Sequence, residues 1–123
     1  MVCETQTVLI VEDEAFVAWD FAQTLETEAR GIVGPAPDLA TGLRLAADEH
    51  VCAAVLDINL GDEVVWPLAE ELSDRGIPFG FVSANLQHAE LQERFHQAPK
   101  LSKPVRDRDL VEMVEQLLNR SSC

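Results

Sequence analysis

Apolar and polar positions along this chain form short apolar runs separated by longer stretches with helical spacing. The runs at 7–11, 53–57 and 79–83 are apolar at nearly every position. A strand with one face in water would alternate, so these runs predict strands buried on both faces of a parallel sheet. The run at 53–57 organises the rest of the chain because it ends on a carboxylate, Asp57.

Two weaker strands complete the predicted sheet. Ile32–Gly34 is short, and Pro35 and Pro37 follow it. Prolines are poorly tolerated inside a sheet, so we expect this strand to end at Gly34 and to lie at an edge. Lys100–Ser102 is the other short strand, and residues 58–63 are expected to form a loop.

Apolar residues three and four positions apart predict five helices between and after the strands. They cover about residues 14–29, 39–50, 66–75, 87–95 and 106–120. Asp38 is expected to cap the second helix, which should turn Leu39, Leu43, Ala46 and Ala47 inward. The fourth helix has only Leu91 and Phe95 as firm apolar anchors, so it should be the most mobile element.

Strict alternation of strands and helices predicts an α/β fold. Right-handed crossovers then require a doubly wound parallel sheet with helices on both faces. The most apolar strands, the first and third, should lie centrally and side by side. With 123 residues the chain is expected to be a single domain, 1–123, with no attached output domain.

Charge and cysteine content narrow the classes of partner. A formal net charge of −13 would repel phosphate backbones, so nucleic acid is not expected to bind. No apolar run approaches the roughly twenty residues that span a bilayer, so no membrane association is expected. The chain has three cysteines, Cys3, Cys52 and Cys123. Because their number is odd and their positions indicate no disulfide framework, we expect reduced thiols and a cytoplasmic location. His50 is expected to end the second helix and not to bind metal.

Polar side chains stand where the predicted strands end. Parallel strands bring their carboxyl ends to one edge, where ligands of such sheets bind. The carboxylates that meet there would repel one another, and Mg²⁺ (or Mn²⁺) suits such an oxygen-rich site. A hydroxyl and a lysine at the same edge fit a phosphoryl group, whose charge needs fixed donors and cations. The residues concerned are Glu12, Asp13, Asp57, Ser83 and Lys103.

These five residues, with Pro104 after Lys103, resemble the motifs of the receiver domain of two-component response regulators. The resemblance covers the chain from Val8 to about Leu118. Within this family, the chain is similar to stand-alone, chemotaxis-regulator-like receivers. The resemblance implies a flavodoxin-like (βα)5 fold with strand order 2-1-3-4-5. A single acid after a strand more often caps a turn, but five ordered motifs favour the receiver interpretation.

The resemblance implies a role for each acidic residue. Asp57 would be the phosphoacceptor, attacking a phosphohistidine of a sensor histidine kinase or a histidine phosphotransfer protein. Asp13 and Asp57 would bind Mg²⁺ directly with the backbone carbonyl of Asn59, and Glu12 would bind it through water. Such a protein catalyses its own phosphorylation and dephosphorylation without turning over a separate substrate.

Ser83 and Lys103 would hold the phosphoryl oxygens, and the Lys103–Pro104 bond would be cis. Output would pass to a downstream protein by phosphorylation-dependent binding, or the domain would drain phosphoryl groups from a kinase. A monomer or a weak phosphorylation-dependent dimer is expected. Phe16 and Trp19, on a flank of the first helix away from its apolar face, form a candidate partner patch.

The chain departs from the usual receiver pattern at two positions. Gly61 stands where receivers usually carry proline, and Lys100 stands where an aromatic switch residue is usual. The switch would then depend on the loop through Ala84 and Asn85. Asn59 and Asn85 are neutral amides that flank the path of an attacking water, and neither can serve as a strong general base. Hydrolysis of the phosphoryl group should therefore be slow compared with a dedicated phosphatase.

Three other functions share this fold or this chemistry. A small Mg²⁺-dependent phosphatase could also use Asp57, but it would generally need an acid two residues later, where this chain has Asn59. A flavin-binding module would need a phosphate-binding loop after the first strand, where this chain carries acids at 12–14. A degenerate receiver that serves as a constitutive scaffold is the third alternative.

Overall fold

The computed structural model describes residues 6–26 and 30–123. Five parallel strands form one sheet in the order β2-β1-β3-β6-β7, which is the predicted order 2-1-3-4-5. These strands are β1 (Thr7–Val11), β2 (Gly31–Ala36), β3 (Ala53–Asp57), β6 (Phe79–Ser83) and β7 (Lys100–Ser102). A separate pair of short strands, β4 (Asn59–Leu60) and β5 (Glu63–Val64), lies between β3 and the next helix.

In the described part of the chain, five helices cover the two faces of the sheet. They are α1 (Ala15–Glu26), α2 (Leu39–Asp48), α3 (Trp66–Asp74), α4 (Ala89–Glu93) and α5 (Asp107–Arg120). Alternate residues of a strand point to opposite faces, so Leu9 and Val11 pack toward α2 and α3 while Val8 and Ile10 pack toward α1 and α5. Every residue of β3 is buried, as its uninterrupted apolar run predicts.

The edge strand β2 is longer than predicted, since it continues through Pro35 to Ala36. Gly34 has a φ of +93°, and the register against β1 shifts between Leu9 and Val11. An edge strand tolerates a proline because one side of it needs no ladder partner. Gly31, two positions after the predicted end of the first helix, begins β2. Ala29, at the predicted end of that helix, lies outside the described residues.

The loop predicted after β3 contains an antiparallel hairpin. Asn59 pairs with Val64, and Leu60 pairs with Glu63, around a turn in which Gly61 has a φ of +66°. Glycine adopts this left-handed conformation without the steric cost that a side chain brings. Leu60 is buried, so the hairpin is held against the core close to Asp57.

Two helices end earlier than their sequence patterns predict. Helix α2 ends at Asp48, so His50 lies beyond the helix. Ala47, predicted to face inward, lies within the helix but is exposed. Helix α4 has only five residues, although its two predicted anchors, Leu91 and Phe95, are both buried. The N-cap at Asp38 is confirmed, because its side chain accepts a hydrogen bond from Thr41 N.

The prediction of reduced thiols is wrong for two of the three cysteines. Cys52, just before β3, and Cys123, after α5, form a disulfide across 71 residues of sequence. Cys3 lies outside the described residues. None of the described helices is long and apolar enough to cross a membrane.

Candidate functional site

Three carboxylates meet at the carboxyl end of the sheet. Glu12 follows β1 and Asp57 ends β3, and these strands are paired in register from Val8 to Val11. Glu12 and Asp57 are 1% and 4% exposed, whereas Asp13 faces solvent. Carboxylate oxygens of the three residues lie within 4.8 Å of one another. Clustered hard oxygen donors of this kind fit Mg²⁺.

Lys103 brings the positive charge to this cluster. Its Nζ lies 2.7 Å from Glu12 Oε1 and 3.2 Å from Asp57 Oδ2. The backbone positions this side chain, since Lys103 N donates to Ser83 O over 3.0 Å at the end of β6. The predicted cis bond between Lys103 and Pro104 is confirmed.

Burial and charge shift the protonation of Asp57. Desolvation, reinforced by the nearby charge of Glu12, raises the pKa of Asp57 to about 7, although Lys103 opposes the shift. A carboxyl with this pKa is present in both its protonated and its ionised form near neutral pH. A cation added between the carboxylates would favour the ionised, nucleophilic form.

Lys103 itself keeps its charge. Burial lowers the pKa of the ammonium, but the hydrogen bond to Glu12 and the charge of Asp57 outweigh burial, so the net pKa is raised. Lys103 is therefore a fixed cation at neutral pH, available to any anionic group that reaches Asp57.

Gly61 contributes a backbone contact to the site, which the pattern of side chains in the sequence does not reveal. Its backbone N donates to Asp13 Oδ2 over 2.9 Å, which links the hairpin to the exposed carboxylate. Proline, the usual residue here in receivers, has no N–H to donate. The presence of glycine instead of proline at position 61 thus gives Asp13 a backbone partner. This difference from the usual receiver sequence was the only sequence signal for the contact.

Ser83 lies at the same edge, at the end of β6, and is 1% exposed. Its Oγ accepts a hydrogen bond from Asn85 N over 3.2 Å, and Asn85 Oδ1 accepts one from Gln87 N over 2.9 Å. Ala84 and Asn85 are both exposed. The hydroxyl therefore holds the start of the loop that leads to α4.

Aromatic rings connect the loop between β6 and α4 to helix α3, which follows the hairpin. Trp66, the first residue of α3, has its ring 5.6 Å from that of Phe95, in a stacked arrangement. Its ring also lies 5.7 Å from Phe81 and 5.5 Å from His88, edge to face in both cases. His88 and Phe95 flank α4, so Trp66 contacts both ends of this short helix.

The other residues singled out from the sequence lie around this centre. Asn59 is exposed at the start of the hairpin. Lys100 is half-buried, and its Nζ donates to Ala98 O over 2.7 Å and to His96 O over 3.3 Å. Phe16 and Trp19 on α1 are 89% and 61% exposed.

Comparison with solved structures identifies the fold as that of CheY-like receiver domains of response regulators, as the resemblance predicts. A receiver protein from Sinorhizobium medicae WSM419 superposes with a TM-score of 0.81 at 26% identity, over 96% of this chain and 98% of that one. A CheY-like receiver domain protein from Methanospirillum hungatei JF-1 gives a TM-score of 0.85 at 24% identity, over 94% of this chain and 95% of that one.

A curated relative is the transcriptional regulatory protein PdtaR of Mycobacterium tuberculosis (strain CDC 1551 / Oshkosh). It is 28% identical over 116 residues, which are 92% of this chain. The chain spans 57% of the length of that relative. No family model matches the chain.

Proposed function

We propose that this protein accepts a phosphoryl group on Asp57 from a histidine kinase or a histidine phosphotransfer protein and signals through another protein. The observation that carries the proposal is the position of Lys103, whose Nζ lies within 3.2 Å of carboxylate oxygens of both Asp57 and Glu12. A buried acid and a fixed cation at one strand end suit a nucleophile and a developing phosphoryl charge.

In the proposed reaction an Oδ of Asp57 attacks the phosphorus of a phosphohistidine. The new P–O bond forms as the P–N bond breaks, and the bonding pair returns to the imidazole nitrogen of the donor. Lys103 and the Ser83 hydroxyl then hold oxygens of the acyl phosphate.

Glu12, Asp13, Asp57 and the backbone carbonyl of Asn59 are the groups proposed to hold Mg²⁺. When bound, the cation neutralises charge on the carboxylates and on the transferring phosphoryl oxygens. Asp13 is exposed and already fixed by Gly61 N, so it is accessible as a direct ligand. Glu12 is buried and binds Lys103, which suits the proposed contact through water.

Among the residues that the structure describes, the two that we propose to flank the path of an attacking water, Asn59 and Asn85, are not strong bases. The side chains of Asn59 and Asn85 are neutral amides, so hydrolysis of the acyl phosphate should be slow compared with a phosphatase. We expect no turnover of a separate substrate. We also expect a cytoplasmic location, where ATP-dependent kinases act.

The test is Mg²⁺-dependent labelling by a small phosphodonor such as acetyl phosphate. Wild-type protein should be labelled with Mg²⁺ present, and a chelator should abolish labelling. Asp57→Asn keeps the size of the side chain but removes the nucleophile, so it should not be labelled. Asp62→Asn, an exposed acid on the hairpin five positions away, is the matched control and should be labelled like the wild type. Equal labelling of Asp57→Asn and wild type would refute the assignment.

A further inference from the structure

A second cluster of metal-ligating side chains lies at the opposite end of the sheet. Cys52 precedes the first residue of β3, whereas Asp57 is its last residue. At about 3.3 Å per residue, the two positions are roughly 16 Å apart along the strand. His50 and Cys123 lie beside Cys52, and a ligand atom of each of the three residues is within 4.8 Å of the others. The proposed phosphoryl chemistry uses none of them.

The imidazole nitrogen already lies about as far from each sulfur as two ligand atoms of one zinc ion lie from each other. His50 Nε2 lies 3.5 Å from Cys52 Sγ and 3.4 Å from Cys123 Sγ. Two ligands of a tetrahedral zinc ion, with Zn–S near 2.3 Å and Zn–N near 2.0–2.1 Å, are about 3.6 Å apart. The nitrogen therefore needs little movement, and the sulfurs need only to separate from their disulfide.

Apart from their disulfide, the two cysteines differ in how firmly the fold holds them. Cys52 is buried, and Thr7 Oγ1 lies 3.7 Å from its sulfur and donates to His50 O over 2.5 Å. Cys123 is exposed and lies beyond the end of α5. Its backbone N donates to the Ser121 hydroxyl over 3.1 Å. An exposed segment of this kind can shift its sulfur without disturbing the core.

We propose that His50, Cys52 and Cys123 form a redox-controlled zinc site. In the oxidised state the two sulfurs are joined to each other. A dithiol reductant exchanges with this disulfide, becomes oxidised to its own disulfide, and leaves two thiols on the protein. Zn²⁺ then binds two thiolates and the neutral imidazole, and it displaces one proton from each thiol. The fourth position stays open for water or an external ligand.

Two thiolates and one imidazole select a borderline or soft cation over Mg²⁺. The two poles of the molecule thus offer different donors, hard oxygens at the carboxyl end of the sheet and sulfur with nitrogen at the amino end. Oxidation would join the end of α5 to the start of β3, and zinc would replace that covalent link by a metal link.

Cobalt titration of the reduced protein tests this proposal. All proteins carry Cys3→Ser, so that two thiols remain, and excess Mg²⁺ occupies the acidic cluster. Co²⁺ bound to thiolate gives a near-ultraviolet charge-transfer band, which carboxylate ligands do not produce. The reduced protein should show this band at one Co²⁺ per chain and release two protons, one from each thiol, as the Co²⁺ binds. Zn²⁺ should then displace the cobalt without further proton release. The oxidised protein should show no band.

The variants separate metal binding from disulfide formation. His50→Gln should still form the disulfide, yet bind Co²⁺ at least about 100-fold more weakly, since even outer-shell partners contribute 10–100-fold. Cys123→Ser removes one of the two thiolates, so the band should be weaker at the same Co²⁺ concentration. His96→Gln changes an exposed histidine that is not one of the three clustered residues, and it should match the parent. No charge-transfer band in the reduced parent, or an equal affinity in His50→Gln, would overturn the proposal.

Discussion

Single residues decide the chemistry that we propose for the acidic end of the sheet. Asp57 is 4% exposed and borders a second buried acid, Glu12. Only Lys103 is seen to offset this negative charge among the described side chains, through contacts of 2.7 Å and 3.2 Å. The balance between desolvation and ion pairing therefore sets the protonation state of the proposed nucleophile.

The pKa of Asp57 makes a prediction about stability. In the folded protein it is raised from 3.8 to about 7. Between these values the unfolded chain holds fewer protons than the folded one, so stability should fall as the pH rises through this window. Urea denaturation without Mg²⁺ should show a larger loss of unfolding free energy in wild type than in Asp57→Asn. An equal loss in both proteins would contradict the raised pKa.

Gly61 makes a prediction about metal affinity. Gly61→Pro removes the N–H that binds Asp13, so Mg²⁺ affinity should fall about tenfold, the scale of a lost outer-shell partner. Proline also fixes φ at about −65°, so it must change the turn in which Gly61 has a φ of +66°. Gly61→Ala is the control for backbone strain, because it disfavours the positive φ, at roughly 1–2 kcal/mol, but retains the N–H. Isothermal titration with Mg²⁺ measures both variants. If alanine and proline weaken binding equally, the hydrogen bond does not support the site.

At the scale of elements, the hairpin and the short helix α4 connect the acidic cluster to the surface. Ser83 Oγ holds the start of the loop before α4, and the ring of Trp66 contacts both flanks of this helix. Lys100 stands in the usual position of the switch aromatic, and its ammonium binds main-chain carbonyls. We therefore expect the response to phosphorylation to travel through Ser83 and α4.

Hydrogen exchange tests that route. Drawing Ser83 toward a phosphoryl group would break its hydrogen bond with Asn85 N, so a phosphoryl mimic should change protection within residues 84–95. Ser83→Ala should accept the mimic and show a much smaller change there. Lys100→Tyr should not be needed for the response. Protection changes confined to α1 would show that the route is wrong.

The fluorescence of Trp66 should report the same rearrangement. The chain has two tryptophans, so Trp19→Phe leaves Trp66 as the only emitter. Phosphorylation with Mg²⁺ should change the intensity, since the indole lies 5.5 Å from the His88 ring and 5.6 Å from the Phe95 ring. Phe95→Leu should reduce the change. A signal that disappears in Trp19→Phe would mean that Trp66 does not report it.

At the scale of the whole molecule, the strong sequence signals are those that burial imposes. β3 and β6 are recognisable because both faces of each strand are covered, which requires an unbroken apolar run. The acidic cluster and Lys103 follow from the same reasoning, since parallel strands end at one edge. Topology therefore brings together residues that lie far apart in sequence.

The missed features depend on contacts without a periodic signal. The hairpin strands have two residues each, too few to show alternation, and β2 passes through Pro35 because edge geometry overrides the usual restriction. The contact of Gly61 with Asp13 uses a backbone donor that every residue except proline carries. Cys52 and Cys123 are separated by 71 residues, so only the fold shows that they meet.

The central claim is that Asp57 carries the phosphoryl group, and peptide mass spectrometry tests it most directly. Wild-type protein is incubated with acetyl phosphate and Mg²⁺, the acyl phosphate is trapped by borohydride reduction, and the chain is digested. Reduction converts a phosphorylated aspartate to homoserine, which marks the site. We predict homoserine at position 57 and unmodified aspartate at Asp13 and Asp62. Homoserine at either of those positions, with Asp57 unmodified, would contradict the account.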